Sequence, residues 1–292
     1  MTKGFLIHAH NNSQIDYINL ALCSALLIKK NLKTNNIALI TDTESYQLLE
    51  NKFDKTLINK AFDKTIFIEK DYKVGNRTFY DTRYSNKTLP YYNTSRTNSF
   101  HLSPWDQTIL IDADYLVLDS MLDNVWDSTE DFLINSRVKN IADIQNKDLS
   151  ITRLNESNIP LYWATVVYFQ KTKFVESIFN LTSFIKENYE YYSKVYMLPT
   201  SSYYRNDFAI SIALHMINKH VENNDIHSLP NNIIYTADEH DDMINFKNGS
   251  AYFISEKEQG QFRLHQFMTN IHVMNKLSIG RMAERIINYA SS

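Results

Sequence analysis

Residues 105–118 read Trp-Asp-Gln-Thr-Ile-Leu-Ile-Asp-Ala-Asp-Tyr-Leu-Val-Leu, and this stretch indicates both the fold and a candidate site. Its apolar run Thr108–Ile111 predicts a buried strand that leads directly into Asp112 and Asp114. Residues two apart in an extended segment point to the same side, so both carboxylates can face one point. Ligands of open α/β sheets bind beyond the carboxyl ends of the strands. The spacing therefore predicts a site for a hard divalent cation, Mn²⁺ or Mg²⁺, which can bridge and neutralise a diphosphate.

The region before this stretch alternates strand-like and helix-like runs. Strands are predicted at Gly4–His8, Ile37–Ile40 and Ile66–Ile68, and helices from Ile15 and over Glu44–Phe53. A β-α-β-α-β order implies a parallel sheet with helices on both faces. The predicted fold class is therefore α/β.

The later part of the chain adds one more buried strand and three helices. The strand is predicted at Leu161–Phe169, and the helices at Thr172–Tyr189, Asn206–His220 and Ile279–Tyr289. Residues 72–100 are polar with interleaved arginines and tyrosines, and we predict a loop or short helices that lie over a site. No internal repeat or low-complexity linker interrupts the chain, so we predict one continuous domain.

Composition excludes several classes of protein. The chain has 292 residues with 30 Lys and Arg against 33 Asp and Glu, and this balance excludes a generally basic nucleic-acid coat protein. One cysteine excludes an intrachain disulfide framework, and five glycines leave little room for a glycine-rich phosphate loop. No stretch approaches the roughly 18 to 20 apolar residues of a membrane span. The N-terminus shows no basic n-region or cleavage site, so we expect a cytoplasmic protein without a membrane span.

Six ordered segments of the chain carry a family resemblance. They are FLIHAHN, IALITD, LSPWDQTILIDADYLVLDSM, YWATVVYF, YYRNDFAISIALHMI and IHVMNK. Together they resemble nucleotide-sugar-dependent glycosyltransferases of the GT-A type, particularly the glycogenin-like and bacterial lipopolysaccharide glycosyltransferase branch. The resemblance implies a single GT-A type, Rossmann-like domain over residues 1–292, with a mixed, mostly parallel central sheet flanked by helices. Residues 1–120 would form the nucleotide-sugar-binding half, and residues 121–292 the acceptor-side half with the C-terminal helix.

The resemblance also implies roles for individual residues. Asp112, Asp114 and His272 would hold the metal, and Lys276 would touch the diphosphate. If residues 272–276 are helical, His272 and Lys276 project from one face. Asp207 would lie near the donor sugar or act on the acceptor, so Asp207 and Lys276 are the expected catalytic residues. The expected substrate-binding residues are His8, Ala9 and Asn11 near the nucleoside, Asp42 at the base, Arg77, Arg83 and Lys87 on the donor, and Asp112, Ala113, Asp114, Trp163, Ala164, Thr165, Asp207 and Lys276.

Two departures from the family pattern leave the sugar and the stereochemical outcome open. Trp163-Ala164-Thr165 stands where the family has asparagine-alanine-glycine, and the family's glycine and proline-tryptophan after the C-terminal histidine are absent. The branch retains anomeric configuration, whereas an inverting enzyme needs a general base near the acceptor hydroxyl. Asp207 or an acid of residues 238–242 could serve as that base. The expected donor is a nucleoside-diphosphate sugar, with UDP favoured.

Other functions are open on the sequence alone. Asp112 and Asp114 could be turn or cap residues at a strand end. A haloacid-dehalogenase-like phosphatase also uses two aspartates after an apolar strand, but Leu116 replaces its Thr or Val and the pair lies far from the first strand. The 19 tyrosines and three tryptophans also suit a non-catalytic carbohydrate-binding protein. For a transferase, the acceptor could be a glycan, a lipid-linked sugar, a protein side chain or a modified nucleic-acid base, and the oligomeric state is not indicated.

Overall fold

The structure of the protein is a computed structural model, and it describes residues 1–72, 75–82, 84–141, 152–154, 159–198, 204–218, 226–230, 233–236, 241–258 and 260–292. The strands are β1 (Lys3–His8), β2 (Ile37–Thr41), β3 (Lys64–Phe67), β4 (Asn76–Thr82), β5 (Ser85–Pro90), β6 (Gln107–Ile111), β7 (Tyr115–Leu116), β8 (Phe132–Asn135), β9 (Val138–Asn140), β10 (Trp163–Gln170), β11 (Ile233–Thr236), β12 (Asp241–Lys247), β13 (Ser250–Glu258), β14 (Gln261–Phe267) and β15 (Ile271–Val273). The helices are α1 (Tyr17–Asn31), α2 (Thr43–Lys52), α3 (Lys55–Ala61), α4 (Ser99–Leu102), α5 (Lys173–Glu187), α6 (Tyr189–Val195), α7 (Asn206–Ile217) and α8 (Lys276–Ser291), with 3₁₀ helices at Ser95–Asn98 and Met121–Asp127.

The central sheet has six strands in the order β3-β2-β1-β6-β10-β8. Strands β3, β2, β1 and β6 are parallel, and β10 runs antiparallel to both of its neighbours. Every residue of β2 and β6 is buried, which explains why these strands are continuous apolar runs rather than alternating ones. The predicted α/β class, with a mixed and mostly parallel central sheet between helices, is confirmed.

Helices cover both faces of this sheet. Along β1, Phe5 and Ile7 point into the core cluster that includes α1 and α8, whereas Leu6 points into the cluster that includes α5 and α7. This division follows from the two-residue period of a strand. The apolar residues of β1 are thus shared between two cores, and the carboxyl end of the strand is left at the edge of the sheet where the polar residues collect.

A second, smaller sheet brings the chain's last part to that edge. Its order is β7-β15-β11-β9. Strand β7 follows Asp114 directly, and β15 pairs with it in antiparallel register, with His272 opposite Tyr115. This pairing carries His272 to the two aspartates across more than 150 residues of sequence. The meander β12-β13-β14 packs against α8, and no described helix is both long and apolar enough to cross a membrane.

Two expectations about local structure are wrong. The segment 72–100 contains short helices as predicted, but its first part forms the β4–β5 hairpin, in which only Phe79 and Leu89 are buried. Residues 272–276 are not helical, because His272 lies in β15 and Lys276 is the first residue of α8. The Asn275 side chain accepts a hydrogen bond from Ser278 N at 3.0 Å and so starts the helix after the histidine.

Candidate functional site

The turn after β6 fixes the two aspartates of the predicted cation site. Asp112 N donates to the carbonyl of Thr165 on β10 at 2.9 Å, and Tyr115 N donates to the carbonyl of Asp112 at 3.1 Å. The carbonyl of Asp114 accepts a hydrogen bond from Val273 N at 3.0 Å. Neighbouring strands on both sides therefore hold this turn, and the two carboxylates project from a rigid support.

Asp112, Asp114 and His272 form a group with the chemistry of a metal site. Each offers one ligand atom, and the three atoms lie within 4.8 Å of one another. His272 Nε2 lies 3.4 Å from Asp114 Oδ1 and 3.9 Å from Asp112 Oδ2. The other ring nitrogen, Nδ1, is 3.2 Å from Thr165 Oγ1, and this contact orients the ring toward the carboxylates. Two carboxylates and one imidazole suit Mn²⁺ or Mg²⁺, so the donor set fits the predicted cation.

Two cationic side chains already pair with these carboxylates. Lys276 Nζ lies 2.7 Å from Asp114 Oδ2, and the Arg96 guanidinium contacts Asp112. Burial would raise the pKa of Asp114, but Lys276 and His272 outweigh burial and hold that pKa well below its usual range. Burial raises the pKa of Asp112, against the opposing charge of Arg96. The two neighbouring carboxyls thus differ in acidity, because burial outweighs the cation beside Asp112 whereas the cations beside Asp114 outweigh burial.

Asp207 lies in the first turn of α7 and reaches back to β10. Its Oδ1 accepts a hydrogen bond from Ala164 N at 2.8 Å, and its Oδ2 accepts one from Arg205 at 3.1 Å. The carbonyl of Ala164 accepts a hydrogen bond from Arg96. Both backbone groups of Ala164 are therefore hydrogen-bonded to side chains, its N–H to Asp207 and its carbonyl to Arg96. These contacts place Asp207 and Arg96 next to one residue of β10.

One cleft brings most of the predicted residues together. Its empty volume, including the part that is open to solvent, is about 750 Å³. The predicted residues among its lining are His8, Arg77, Asp112, Ala113, Asp114, Trp163, Ala164, Thr165, Asp207, His272 and Lys276. The cleft is open to solvent and lined by charged and polar groups, so a charged small molecule can reach these side chains.

Other predicted residues lie elsewhere. Ala9 is fully buried, and Asn11 uses its side chain to accept a hydrogen bond from Ile18 N at 2.9 Å. Asp42 caps α2. Lys87 lines a neighbouring cleft between the β4–β5 hairpin, α1 and α8, and Lys276 reaches both clefts. Arg83 lies outside the described residues. The nucleoside contacts predicted for Ala9, Asn11 and Asp42 stay predictions.

The sequence reasoning missed several lining residues. These are Tyr17, Asn93, Arg96, Arg205, Asn206 and Met274. Arg96 had a signal, because it lies in the same arginine-bearing polar segment as Arg77 and precedes Asp112. Tyr17 had none, since it lies within the first turn of the helix predicted from Ile15. Of the acidic residues 238–242, Asp242 pairs with Arg281 at 2.9 Å, and residues 238–240 lie outside the described part of the chain.

Comparisons with known proteins find likeness in structure only. No protein-family model and no curated protein matches the chain. The chain is similar in structure to galactosyltransferase LgtC in complex with donor and acceptor sugar analogs, with 13% identity, a TM-score of 0.44, and 72% of this chain and 70% of that chain covered. It is also similar to glycosyltransferase GlyE of Streptococcus pneumoniae TIGR4 (11% identity, TM-score 0.44, 79% and 45% covered). A third likeness is to mouse xyloside xylosyltransferase 1 (10% identity, TM-score 0.44, 78% and 85% covered).

Proposed function

We propose that the chain is a metal-dependent glycosyltransferase that takes its sugar from a nucleoside-diphosphate donor, with UDP as the favoured nucleotide. The observation that carries the proposal is the group of Asp112, Asp114 and His272, whose ligand atoms lie within 4.8 Å of one another beside Lys276. This group faces the cleft that also contains Asp207. Carboxylates for a cation, an ammonium for a phosphate and an acid for a hydroxyl are the groups that this transfer requires.

The cationic side chains of the cleft would bind and orient the diphosphate. Lys276 and Arg77 both line the cleft, and Lys276 is held 2.7 Å from Asp114. When the diphosphate binds, the ammonium of Lys276 can turn from Asp114 to a phosphate oxygen and neutralise the charge of the leaving group. A divalent cation held by Asp112, Asp114 and His272 would supply Lewis-acid neutralisation of the same charge.

The sugar would lie against Asp207 and the backbone of β10. Trp163, Ala164 and Thr165 line this side of the cleft, and Trp163 packs against Tyr235 with ring centroids 5.0 Å apart and ring planes tilted by 37°. Both oxygens of Asp207 accept hydrogen bonds, and its contact to Ala164 N holds the carboxylate at a fixed place. From there Asp207 can accept a hydrogen bond from a sugar or acceptor hydroxyl when its bond to Arg205 opens.

Thermal unfolding with nucleotides tests this proposal. The protein is heated with UDP, GDP, ADP and a set of UDP-sugars, each in Mn²⁺ and in EDTA. A ligand at a hundred times its Kd stabilises the fold by about 2.7 kcal/mol, which a melting curve resolves. We expect a rise in Tm with UDP and one UDP-sugar in Mn²⁺ only, followed by release of UDP in a transfer assay.

The variant Asp114→Asn tests the site within the same assay. It keeps the shape of the side chain but weakens its bonds to a cation, so the Mn²⁺-dependent rise in Tm should disappear. The matched control is Asp63→Asn, because Asp63 pairs with Lys29 at 2.6 Å far from the cleft. No shift with any nucleotide in the unchanged protein would count against a transferase and favour phosphatase or glycan-binding assays. A full shift in Asp114→Asn would remove this residue from the site.

The remaining sequence predictions are part of the same proposal. The acceptor would be a glycan, a lipid-linked sugar, a protein side chain or a modified nucleic-acid base, and the location cytoplasmic. Residues 1–120 and 121–292 would act as one unit, since the carboxylates come from the first part and His272, Asp207 and Lys276 from the second.

A further inference from the structure

A buried chain of hydrogen bonds runs beneath the cleft, from the N-terminus of α2 to the 3₁₀ helix Ser95–Asn98. It begins at Asp42, whose Oδ2 lies 3.0 Å from His10 Nδ1. The other ring nitrogen, His10 Nε2, lies 3.4 Å from Ser95 Oγ, the longest contact of the chain. These side chains come from two strand ends and the polar segment before Asp112, so the contacts join elements that are far apart in sequence.

The remaining hydrogen bonds of this series lead to the backbone of Arg96. Ser95 Oγ lies 2.9 Å from His8 Nδ1, and His8 Nε2 lies 2.9 Å from Ser99 Oγ. Ser99 Oγ then donates to the carbonyl of Arg96 at 2.7 Å. We call Asp42, His10, Ser95, His8 and Ser99 together the histidine chain. Its last acceptor belongs to the residue whose guanidinium contacts Asp112 and the Ala164 carbonyl.

The direction of each bond follows from the number of available protons. A carbonyl only accepts, so the Ser99 hydroxyl donates to Arg96 and must accept from His8 Nε2–H. Burial lowers the pKa of the His8 ring, so the ring is neutral and its Nδ1 is an acceptor. His8 Nδ1 therefore takes the hydroxyl proton of Ser95.

The same count leaves Ser95 without a second proton to donate. Its contact with His10 Nε2, at 3.4 Å, is the longest of the chain. His10 Nδ1 faces the carboxylate of Asp42 and donates to it. The bonds therefore run in one direction from Ser95 to the Arg96 carbonyl, and His10 joins this run to Asp42. His10 is 1% exposed, so the chain is sealed from solvent at this point.

A second set of contacts locks the same segment to the end of β1. His10 N donates to Asn93 Oδ1 at 2.8 Å, and Asn93 Nδ2 donates to the carbonyl of His10 at 3.1 Å. The backbone before Ser95 is thus clamped at two points. With both sets in place, the 3₁₀ helix cannot rotate without breaking several buried hydrogen bonds, each costly to lose.

We propose that the histidine chain is a positioning device that holds the Arg96 guanidinium between the metal-ligating carboxylate of Asp112 and the Ala164 carbonyl. The inference rests on the proposed function for the reaction that Arg96 serves. His8 and His10 are positioning residues, because they act through the backbone of Arg96. This is a different role from the nucleoside contact that the sequence predicts for His8. A displacement of about 1 Å in such a support can cost about a hundredfold in rate.

A double-mutant cycle tests whether the histidine chain acts through Arg96. His10→Phe fills the same space without N–H donors, and Arg96→Lys removes the double contact. We expect His10→Phe to lower kcat by about ten- to a hundredfold with little change in the KM of the donor. In the Arg96→Lys background, His10→Phe should have little further effect. The control is His265→Phe, which removes a His–Ser contact of 2.7 Å in the meander and should leave kcat unchanged. Independent, multiplying effects of the two changes would overturn the proposal.

Nitrogen NMR of the histidine rings provides a readout that needs no substrate. We expect His8 to be neutral with its proton on Nε2. The milder variant Ser99→Ala removes only the last link, and it should change the His8 signals while leaving those of His10 as they are. If no donor is turned over, the proposed function fails, and the NMR result still tests the direction of the bonds in the histidine chain. A proton on His8 Nδ1 would break that direction and overturn the proposal.

Discussion

The variant Lys276→Met separates two roles of one side chain, because we expect it to strengthen metal binding and weaken transfer. Lys276 Nζ lies 2.7 Å from Asp114 Oδ2, and both side chains are nearly buried. A cation that uses Asp114 as a ligand must compete with this ion pair. A hydrogen bond between charged groups contributes about 1.5–3 kcal/mol, and each 1.4 kcal/mol changes an equilibrium constant about tenfold.

The expected magnitudes follow from these values. Without nucleotide, the Kd of Mn²⁺ should fall by about ten- to a hundredfold in Lys276→Met, since the competing ammonium is gone. The metal-free variant should also melt at a lower temperature, because Asp114 loses its partner in a buried place. In the transfer assay, kcat should fall by about ten- to a thousandfold, as when one charge contact to a transition state is removed.

Calorimetric titration with Mn²⁺, melting curves and UDP release measure these three quantities. The matched control is Lys29→Met, which breaks the 2.6 Å pair with Asp63 and should change neither Mn²⁺ affinity nor kcat. An unchanged or weaker Mn²⁺ affinity in Lys276→Met would refute the competition. An unchanged kcat would refute the contact between Lys276 and the leaving diphosphate.

Two predictions concern stability. Burial lowers the pKa of His8 in the folded protein, whereas a histidine in an unfolded chain has a pKa of about 6.5. The stabilisation from neutral His8 is therefore present above that pH. Below it, the stabilisation is lost at up to about 1.4 kcal/mol per pH unit. The free energy of unfolding, measured with urea at several pH values between about 7.5 and 5, should therefore fall less steeply with decreasing pH in His8→Gln than in the unchanged protein. An equal change of this free energy with pH in both proteins would contradict the prediction. Gly4→Ala should destabilise by about 1–3 kcal/mol, because its Cβ would lie 2.6 Å from the Trp105 ring and 2.8 Å from the Asn36 carbonyl. Gly280→Ala, with nothing within 4 Å, is the control, and equal unfolding midpoints for the two variants would contradict the clash.

Strands β1, β2, β6 and β10 of the central sheet could be predicted because burial on both faces leaves a direct signal, whereas the short buried strand β8 was not predicted. Strand β6 is a continuous apolar run, and Asp112 follows it at the point where the run stops. The β4–β5 hairpin could not be predicted in this way. All but two side chains of its strands are exposed or half-buried, so Phe79 and Leu89 are too few to show a two-residue period. Polar hairpins of this kind are determined by what they pack against, which a local pattern does not contain.

The site was predictable to the extent that its residues sit next to regular elements. Asp112 and Asp114 follow a strand, and Asp207 starts a helix. His272 was assigned through resemblance, and its neighbour Lys276 was expected on the same helical face. The structure instead places His272 in β15, because β7 offers a partner immediately after Asp114. Tertiary pairing decided the conformation of this short segment.

Arg96 shows why the electrostatics of the site could not be predicted from the sequence. Its neighbours Ser95 and Ser99 are hydrogen-bonded to His8, 87 and 91 residues earlier. No local pattern encodes contacts over such a separation. The polar segment before Asp112 reads as a solvent-exposed stretch, although Arg96 is 5% exposed. The composition of that segment indicated cations near the site, but the choice among them depended on the fold.

The charges of the cleft favour joint binding of the metal and the diphosphate. Among the described lining residues, there is one more cationic side chain than there are carboxylates. The cationic side chains are Lys276, Arg77, Arg96 and Arg205, and the carboxylates are Asp112, Asp114 and Asp207. A divalent cation alone would add to this excess and displace ammonium and guanidinium groups from their carboxylates. A diphosphate ester that carries two negative charges offers those displaced groups new partners at the same time. With so few glycines to form a backbone phosphate loop, side chains must supply this compensation. The diphosphate therefore neutralises the positive charge that the cation adds, and the cation frees the side chains that bind the diphosphate. The binding free energies of the two ligands should be coupled.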